Sequence, residues 1–197
     1  MDRIETAVQG VKAGETHLFE IIIDTYQQQL FHYCYHMLGN TQEAEDAVQE
    51  SFIKAFQKIG AYKKSISFSA WLYKITHNYC LNVIRRKKLL HFISLSYDSE
   101  NENQWHYYMK NCLKPAENEG GLGQSLVKAL KRLSPAENGI LILRIMEERS
   151  FDEIARILNL KPAAVRKKYE RLRRKLKNLI EQEKEGGTSH EGFSVSN

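Results

Sequence analysis

No stretch of this 197-residue sequence approaches the roughly 20 consecutive apolar residues that a membrane-spanning helix requires. The longest candidate, residues 21–23, is broken at once by Asp24 and a run of three glutamines. The first residues lack a basic segment followed by an apolar one, so no signal peptide is expected and the expected location is the cytoplasm. Cysteine is scarce: Cys34, Cys80 and Cys112 are odd in number, and no two form a C-x-x-C pair. That excludes a zinc ribbon or a disulfide framework and leaves reduced thiols on or under helices as the expectation. There is no P-loop, no Rossmann glycine pattern and no nucleophile elbow. His32 and His36 stand one helical turn apart around Cys34, but Cys34 falls on another face and no glutamate completes a zincin motif. The acids among residues 43–50 belong to an open helix face, not to a cleft with paired carboxylates. The expectation is a protein that is not an enzyme, with no catalytic residue, metal, cofactor or small-molecule substrate.

What is present is charge, unevenly distributed. Hydrophobic residues at 42% and charged ones at 27% are ordinary for a folded protein, and the net charge is only +5. Residues 1–62 carry nine acids and four bases, whereas 63–91 carry seven bases and no acid. Segment 92–127 returns to five acids and two bases, and 161–177 holds nine bases with one acid. A single basic block is often a solvated helix face. Two separated blocks inside structured segments point to two contacts with a polyanion, because clustered Lys and Arg gain affinity by releasing phosphate counterions.

The apolar periodicity is helical nearly throughout. Helices are predicted over about 4–11, 16–37, 42–59 and 69–88. Gly39 is placed as a C-terminal stop, Thr41 as the next N-cap, and Phe52, Ala55 and Phe56 in the core of the third helix. Residues 61–67 form a short polar loop. From 89 to 123 the pattern dissolves into Ser, Asn, Glu, Pro115 and three glycines, which reads as a linker too long for the inside of one compact domain. A helix is predicted over about 124–132. Ser134-Pro135-Ala136-Glu137 then combines an N-cap Ser, Pro at the first helical position and Glu at the third. Ser150-Phe151-Asp152-Glu153 repeats the device for a short helix, and Pro162 opens a last helix reaching about Gln182.

Residues 151–172 carry the most specific local pattern, that of a helix-turn-helix. The motif needs a small residue where its helices approach, a turn residue tolerant of left-handed backbone, and an apolar anchor on the second helix. Ala155, Asn159 and Val165 take these roles, with Ile154, Leu158, Leu160 and Tyr169 as core. The second helix presents Arg166 and Lys167 as candidates for base edges, and Lys168, Arg171 and Arg174 as candidates for phosphate.

Residues 40–55 (NTQEAEDAVQESFIKA) closely resemble the polymerase-binding helix of extracytoplasmic-function sigma factors, the two-domain group of the sigma-70 family. Residues 68–78 (FSAWLYKITHN), followed by Arg85 and Arg86, resemble the family's next helix, and residues 130–134 with the helix-turn-helix resemble its C-terminal domain. The resemblance covers about 4–89 and 124–180, in order. It implies an all-α fold of two small helical domains on a flexible linker, the second ending in the helix-turn-helix. The corresponding division is 1–90, linker 91–122, 123–182 and a disordered tail 183–197. It implies an alternative sigma factor that binds bacterial core RNA polymerase through Asp46, Gln49, Glu50, Phe52, Ile53 and Lys54. It implies capture of the unwound non-template strand of the minus-ten element by Lys63, Lys64, Ser65, Phe68, Lys74, Asn78, Asn82, Arg85 and Arg86. Lysines there attract phosphate, Ser65 and Asn78 offer hydrogen bonds, and Phe68 a stacking surface for an extruded base. Duplex DNA at the minus-thirty-five element falls to Lys161, Ala163, Arg166, Lys167, Lys168, Glu170, Arg171 and Arg174. An anti-sigma factor, able to hold the protein at a membrane, and a place in stress response are implied by analogy alone.

This sequence departs from the family's pattern at several positions. Lys74 and Ile75 stand where housekeeping members carry a duplex-opening aromatic pair, Asn82 where many relatives have Asp, and Asn138 where many have Arg. Lys167 and Leu172 replace the small residues usual in the recognition helix, which implies an unusual sequence preference. Trp71 is placed in the core. The alternative is a stand-alone dimeric helix-turn-helix regulator that binds palindromic duplex without polymerase.

Overall fold

A computed structural model describes residues 3–93, 129, 130 and 132–187. Four helices form the first half: α1 (Arg3–Lys12), α2 (Phe19–Leu38), α3 (Thr41–Lys58) and α4 (Phe68–Ile93). Short 3-10 turns at Thr16–Leu18 and Ile59–Ala61 lead into α2 and out of α3. Gly39 ends α2 as read from the sequence, with φ 73° and its N–H on the Tyr35 carbonyl. The next cap is a correction. Asn40, not Thr41, is the N-cap, and its extended backbone lets the amide oxygen accept the Glu43 N–H at 3.0 Å. Such a cap contributes about 1 kcal/mol.

Small residues decide how closely these helices approach. Ala44, Ala47 and Ala55 are fully buried along one row of α3, in the core where α3 packs on α2 and α4. Phe56, expected in the core, is 40% exposed. It sits at the margin of that row, edge-on to Phe19 at 5.1 Å. Cys34 and Cys80 are free, buried thiols with sulfurs 3.8 Å apart, as reduced cysteines under helices were expected to be. Cys112 lies outside the described residues.

The second half holds α5 (Pro135–Ile145), α6 (Phe151–Leu158) and α7 (Pro162–Gly187). Both capping boxes form: Ser134 and Ser150 accept from Glu137 and Glu153 backbone N–H groups, and each Glu reaches back to its cap. Asn159 adopts the left-handed conformation at φ 55°, turning the chain between α6 and α7. Ala155 and Val165 close the helix-turn-helix core. Leu160, assigned to that core, is instead 38% exposed, because the residue after the left-handed turn lies outside the corner and Val165 fills the inside. The last helix runs five residues past the expected 182, carried by the helix formers Glu183, Lys184 and Glu185 and stopping at the glycine pair 186–187. Of the expected helix at 124–132, only 129 and 130 are described as helical, and the linker 91–122 lies almost wholly outside the described residues.

The two halves pack against each other, α6 on α4 and α5 on α2, and Ile142, Leu143, Ile154 and Ile157 join the same core as Tyr33 and Tyr73. Three polar contacts among the described residues pin this docking. Tyr73 donates its hydroxyl to the Glu147 carboxylate, and the Arg149 guanidinium lies 4.7 Å over the Tyr73 ring. Asn138 donates its side-chain amide to the His36 carbonyl at 3.3 Å.

Candidate nucleic-acid and protein interfaces

Three surfaces carry the residues singled out from the sequence. The first is the outer face of α3. Asp46, Gln49 and Ile53 are exposed there; Glu50 and Lys54 pair at 3.4 Å, with the Lys54 ammonium 4.2 Å from the Tyr79 ring centre. Phe52 is only 7% exposed, so it supports this face from beneath. Beside it runs an open apolar groove of about 880 Å³ between α2 and α3. Phe19, Ile23, Phe31, Val48, Phe52, Ile53 and Phe56 line it, together with Gln27, Gln28, Glu45, Gln49 and Gln57. Sequence reasoning missed this groove. The half-buried apolar residues of α2 beside a glutamine run were its only signal.

The second surface runs from the loop at 62–67 along α4. Lys63, Lys64 and Ser65 are exposed at the loop. On α4, Lys74, Asn78, Asn82 and Arg85 recur at helical spacing, so they form one stripe; Lys74 is half-buried, and the other three, with Arg86, are exposed. Arg85 donates to the Asn82 side chain at 3.4 Å. Phe68 departs from expectation. At 4% exposure it lies inside an aromatic cluster with Tyr26, Tyr62 and Trp71, at ring separations of 6.1, 5.3 and 5.5 Å. In this conformation it offers no open face to a base. Burying several aromatic faces against one another at the loop's base outweighs exposing one. Trp71 is half-buried in the same cluster, in keeping with a core role.

The third surface is the solvent side of α7, with Lys161 just before it. Lys161, Ala163, Arg166, Lys167, Lys168, Glu170, Arg171 and Arg174 are all exposed. At about 100° per residue, 163, 166, 167, 170, 171 and 174 share one face and Lys168 flanks it. Arg166 leans over Phe151 at 5.8 Å, and Glu170 pairs loosely with Arg173 at 3.8 Å. Leu172 is 1% exposed, so it belongs to the core and is removed from the reading surface; of the two atypical positions only Lys167 faces solvent.

Two histidines lie between the halves. His36 and His77 are both buried, and desolvation is the leading cause that lowers each to a pKa of about 4, assisted by His32 and Arg85 respectively. His77 Nδ1 is 2.7 Å from the Tyr33 hydroxyl. Burial pushes the Tyr33 phenol well up, so it stays protonated and donates. His32 is exposed whereas Cys34 and His36 are buried, so the three do not converge. Among the described residues no three metal-ligating side chains gather as a site. Nor is any helix among them long and apolar enough to cross a membrane.

Residues 22–89 match the family model described as Sigma-70 region 2, and 123–176 the one described as Sigma-70, region 4, together more than half of the chain. The ECF RNA polymerase sigma factor SigW of Bacillus subtilis (strain 168) is 29% identical over 183 residues, covering 89% of this chain and 98% of that protein. The RNA polymerase sigma factor YlaC of the same organism is 27% identical over 165 residues, covering 81% and 90%. Among solved structures, CnrH in complex with the cytosolic domain of CnrY superposes at a TM-score of 0.65 with 19% identity, covering 92% of this chain and 97% of that one. The sigma factor RpoE from Bartonella quintana, in complex with the anti-sigma factor NepR, gives 0.61 with 21% identity, covering 83% and 96%. At these identities the likeness concerns the fold. The chain belongs to the sigma-70 family, as one of its extracytoplasmic-function sigma factors.

Proposed function

We propose that this sigma factor brings core RNA polymerase to promoters by holding polymerase on the outer face of α3 and DNA on two separate basic faces. The observation that carries this reading is that Arg85 and Arg86 of α4 and the basic face of α7 stay solvent-exposed, one set on each matched segment, while Leu72 of α4 and Val165 and Leu172 of α7 are buried. On α3, Asp46, Gln49, Glu50 and Lys54 make the polar contact surface, with Phe52, the exposed Ile53 and the neighbouring groove as its apolar part. Lys63, Lys64, Ser65, Lys74, Asn78, Asn82, Arg85 and Arg86 take the unwound minus-ten strand, chiefly through phosphate attraction and hydrogen bonds. Arg166 and Lys167, near the start of α7, read base edges of the minus-thirty-five duplex, with Lys161, Lys168, Arg171 and Arg174 on its phosphates. Two weak contacts on one chain multiply through effective concentration, so neither face need bind tightly alone.

The domain division at residues 1–90 and 123–182 follows from the same reading. So do work in the cytoplasm and an anti-sigma partner able to hold the protein at a membrane; the partner is supported by the complexes in which CnrH and RpoE were solved. The role of an initiation factor is non-enzymatic. The rival reading as a stand-alone dimeric regulator loses to the ordered match to both regions. Run-off transcription with purified bacterial core RNA polymerase tests the proposal: promoter-specific transcripts should depend on this protein.

A further inference from the structure

We propose that α1, which precedes the residues matched to region 2, is the positioning element of the strand-capture loop, acting through Lys12, Glu5 and Tyr62. The inference rests on the reading above, in which residues 63–65 meet the minus-ten strand. Tyr62 is the hinge between α1 and that loop. Its backbone carbonyl accepts from Lys12 Nζ at 2.7 Å, and the same ammonium lies 5.2 Å from its ring centre. Its hydroxyl donates to the Ile66 carbonyl at 2.9 Å, closing the turn that displays Lys63, Lys64 and Ser65. Its ring is wedged against Phe68 and Trp71 at the start of α4. At 3% exposure, Tyr62 cannot itself be the DNA contact.

Glu5 completes the arrangement. It is 8% exposed, and a carboxylate so placed needs compensation. Gln9 Nε2 donates to it at 3.0 Å, the Tyr62 hydroxyl lies 3.5 Å away, and Lys64 Nζ lies 3.9 Å away on the loop. Lys64 is largely exposed, so this pairing is loose and gives way readily to phosphate. Lys12 thus fixes the loop's base, and Glu5 stands beside one of its cations, from outside the matched region. These are positioning residues that act through Tyr62 and Lys64.

The test uses the full chain in complex with bacterial core RNA polymerase and two labelled DNA probes. One is single-stranded and one duplex, each selected from a random-sequence pool on the unsubstituted complex. Lys12→Met keeps the stem but removes the ammonium, and Tyr62→Phe removes only the hydroxyl. Each is expected to weaken single-strand binding about five- to tenfold, as for loss of one charge-assisted or buried hydrogen bond. Duplex binding should be unchanged, the melting temperature should fall by no more than about 5 °C, and Lys12→Arg should restore single-strand binding. Single-strand binding that survives Lys12→Met and Tyr62→Phe, while Lys63→Ala with Lys64→Ala abolishes it, would overturn the positioning role and leave the loop reading intact. Equal weakening of both probes with a lowered melting temperature would overturn it too, leaving α1 a scaffold only. If the Lys63→Ala, Lys64→Ala pair binds the single strand normally, the loop reading itself fails, and the proposal with it.

Discussion

Tyr73 of α4 donates its hydroxyl to Glu147 at the end of α5, tying the segment matched to region 2 to the segment matched to region 4. The phenol is buried, which raises its pKa, and the Glu147 charge raises it further, so it remains a donor across the physiological range. Arg149 stacks on the ring and pairs with Glu153 at 3.4 Å, so the carboxylate, ring and guanidinium form one small network. Tyr73→Phe removes the donor and keeps the ring. It is expected to loosen the docking of the two halves by about 1 kcal/mol, seen as faster proteolysis of the region between them and a larger radius in small-angle scattering. Cleavage and scattering identical to the unsubstituted protein would show that this contact does not hold the halves together.

The docked arrangement should also weaken in mild acid. His36 and His77 face the joint: Asn138 reaches the His36 carbonyl, and a β-carbon placed at Gly139 would stand 3.0 Å from His77 Cε1. The Tyr33 hydroxyl bonds His77, and the charged or titratable groups that act on the two imidazoles are Arg85 for His77 and His32 for His36; neither is a carboxylate that would favour an imidazolium. Both pKa values are lowered to about 4 from 6.5, so the neutral form is preferred. The stability this arrangement carries is fully present above pH 6.5 and is lost as pH falls toward 4. By pH 5 the linkage amounts to roughly 2 kcal/mol per histidine. Denaturant midpoints at pH 7.5, 6 and 5 would measure it, and His77→Gln should flatten part of the slope. A flat profile would contradict the assignment.

On α7 the exposed cations should separate into two behaviours. Arg171→Ala is expected to weaken holoenzyme binding similarly on all promoter sequences and to reduce the salt slope by about one. Arg166→Ala should instead relax the preference at a single position of the minus-thirty-five element by about tenfold. Binding titrations over a range of salt concentrations, on sequence-varied duplexes, tell the two apart. A salt-slope change for both, with no change in preference, would mean that Arg166 contacts only phosphate.

Much of the fold is legible before any coordinates. Capping pairs at Ser134 and Ser150, the glycine stop at 39 and the left-handed Asn159 are local signals whose mechanism is complete within four or five residues, and each appears as read. The cap at Asn40 slipped by one residue because Asn and Thr are both good caps and only backbone geometry separates them. The docking of the two halves was not legible. Tyr73 and His77 occupy core-like positions on α4, and their partners Glu147 and Gly139 lie more than sixty residues away with no pattern linking them. Phe68 was misplaced for a related reason: an aromatic beside a basic loop serves a base or a core equally well, and only the proximity of Tyr26 and Tyr62 decides. The basic faces themselves were legible, because charge that repeats at helical spacing needs no tertiary information to be placed on one side.

The central claim is that this protein gives polymerase its promoter specificity while contacting it through α3. Its most direct test is run-off transcription by purified bacterial core RNA polymerase on genomic promoter fragments, comparing the unsubstituted chain with Asp46→Ala, Glu50→Ala. Both side chains stand on the solvent face of α3, so the double variant should fold normally. The account predicts discrete transcripts only when the chain is added, and their loss with the double variant. No transcripts and no complex with core polymerase, but a shifted band on duplex DNA from the protein alone, would contradict it.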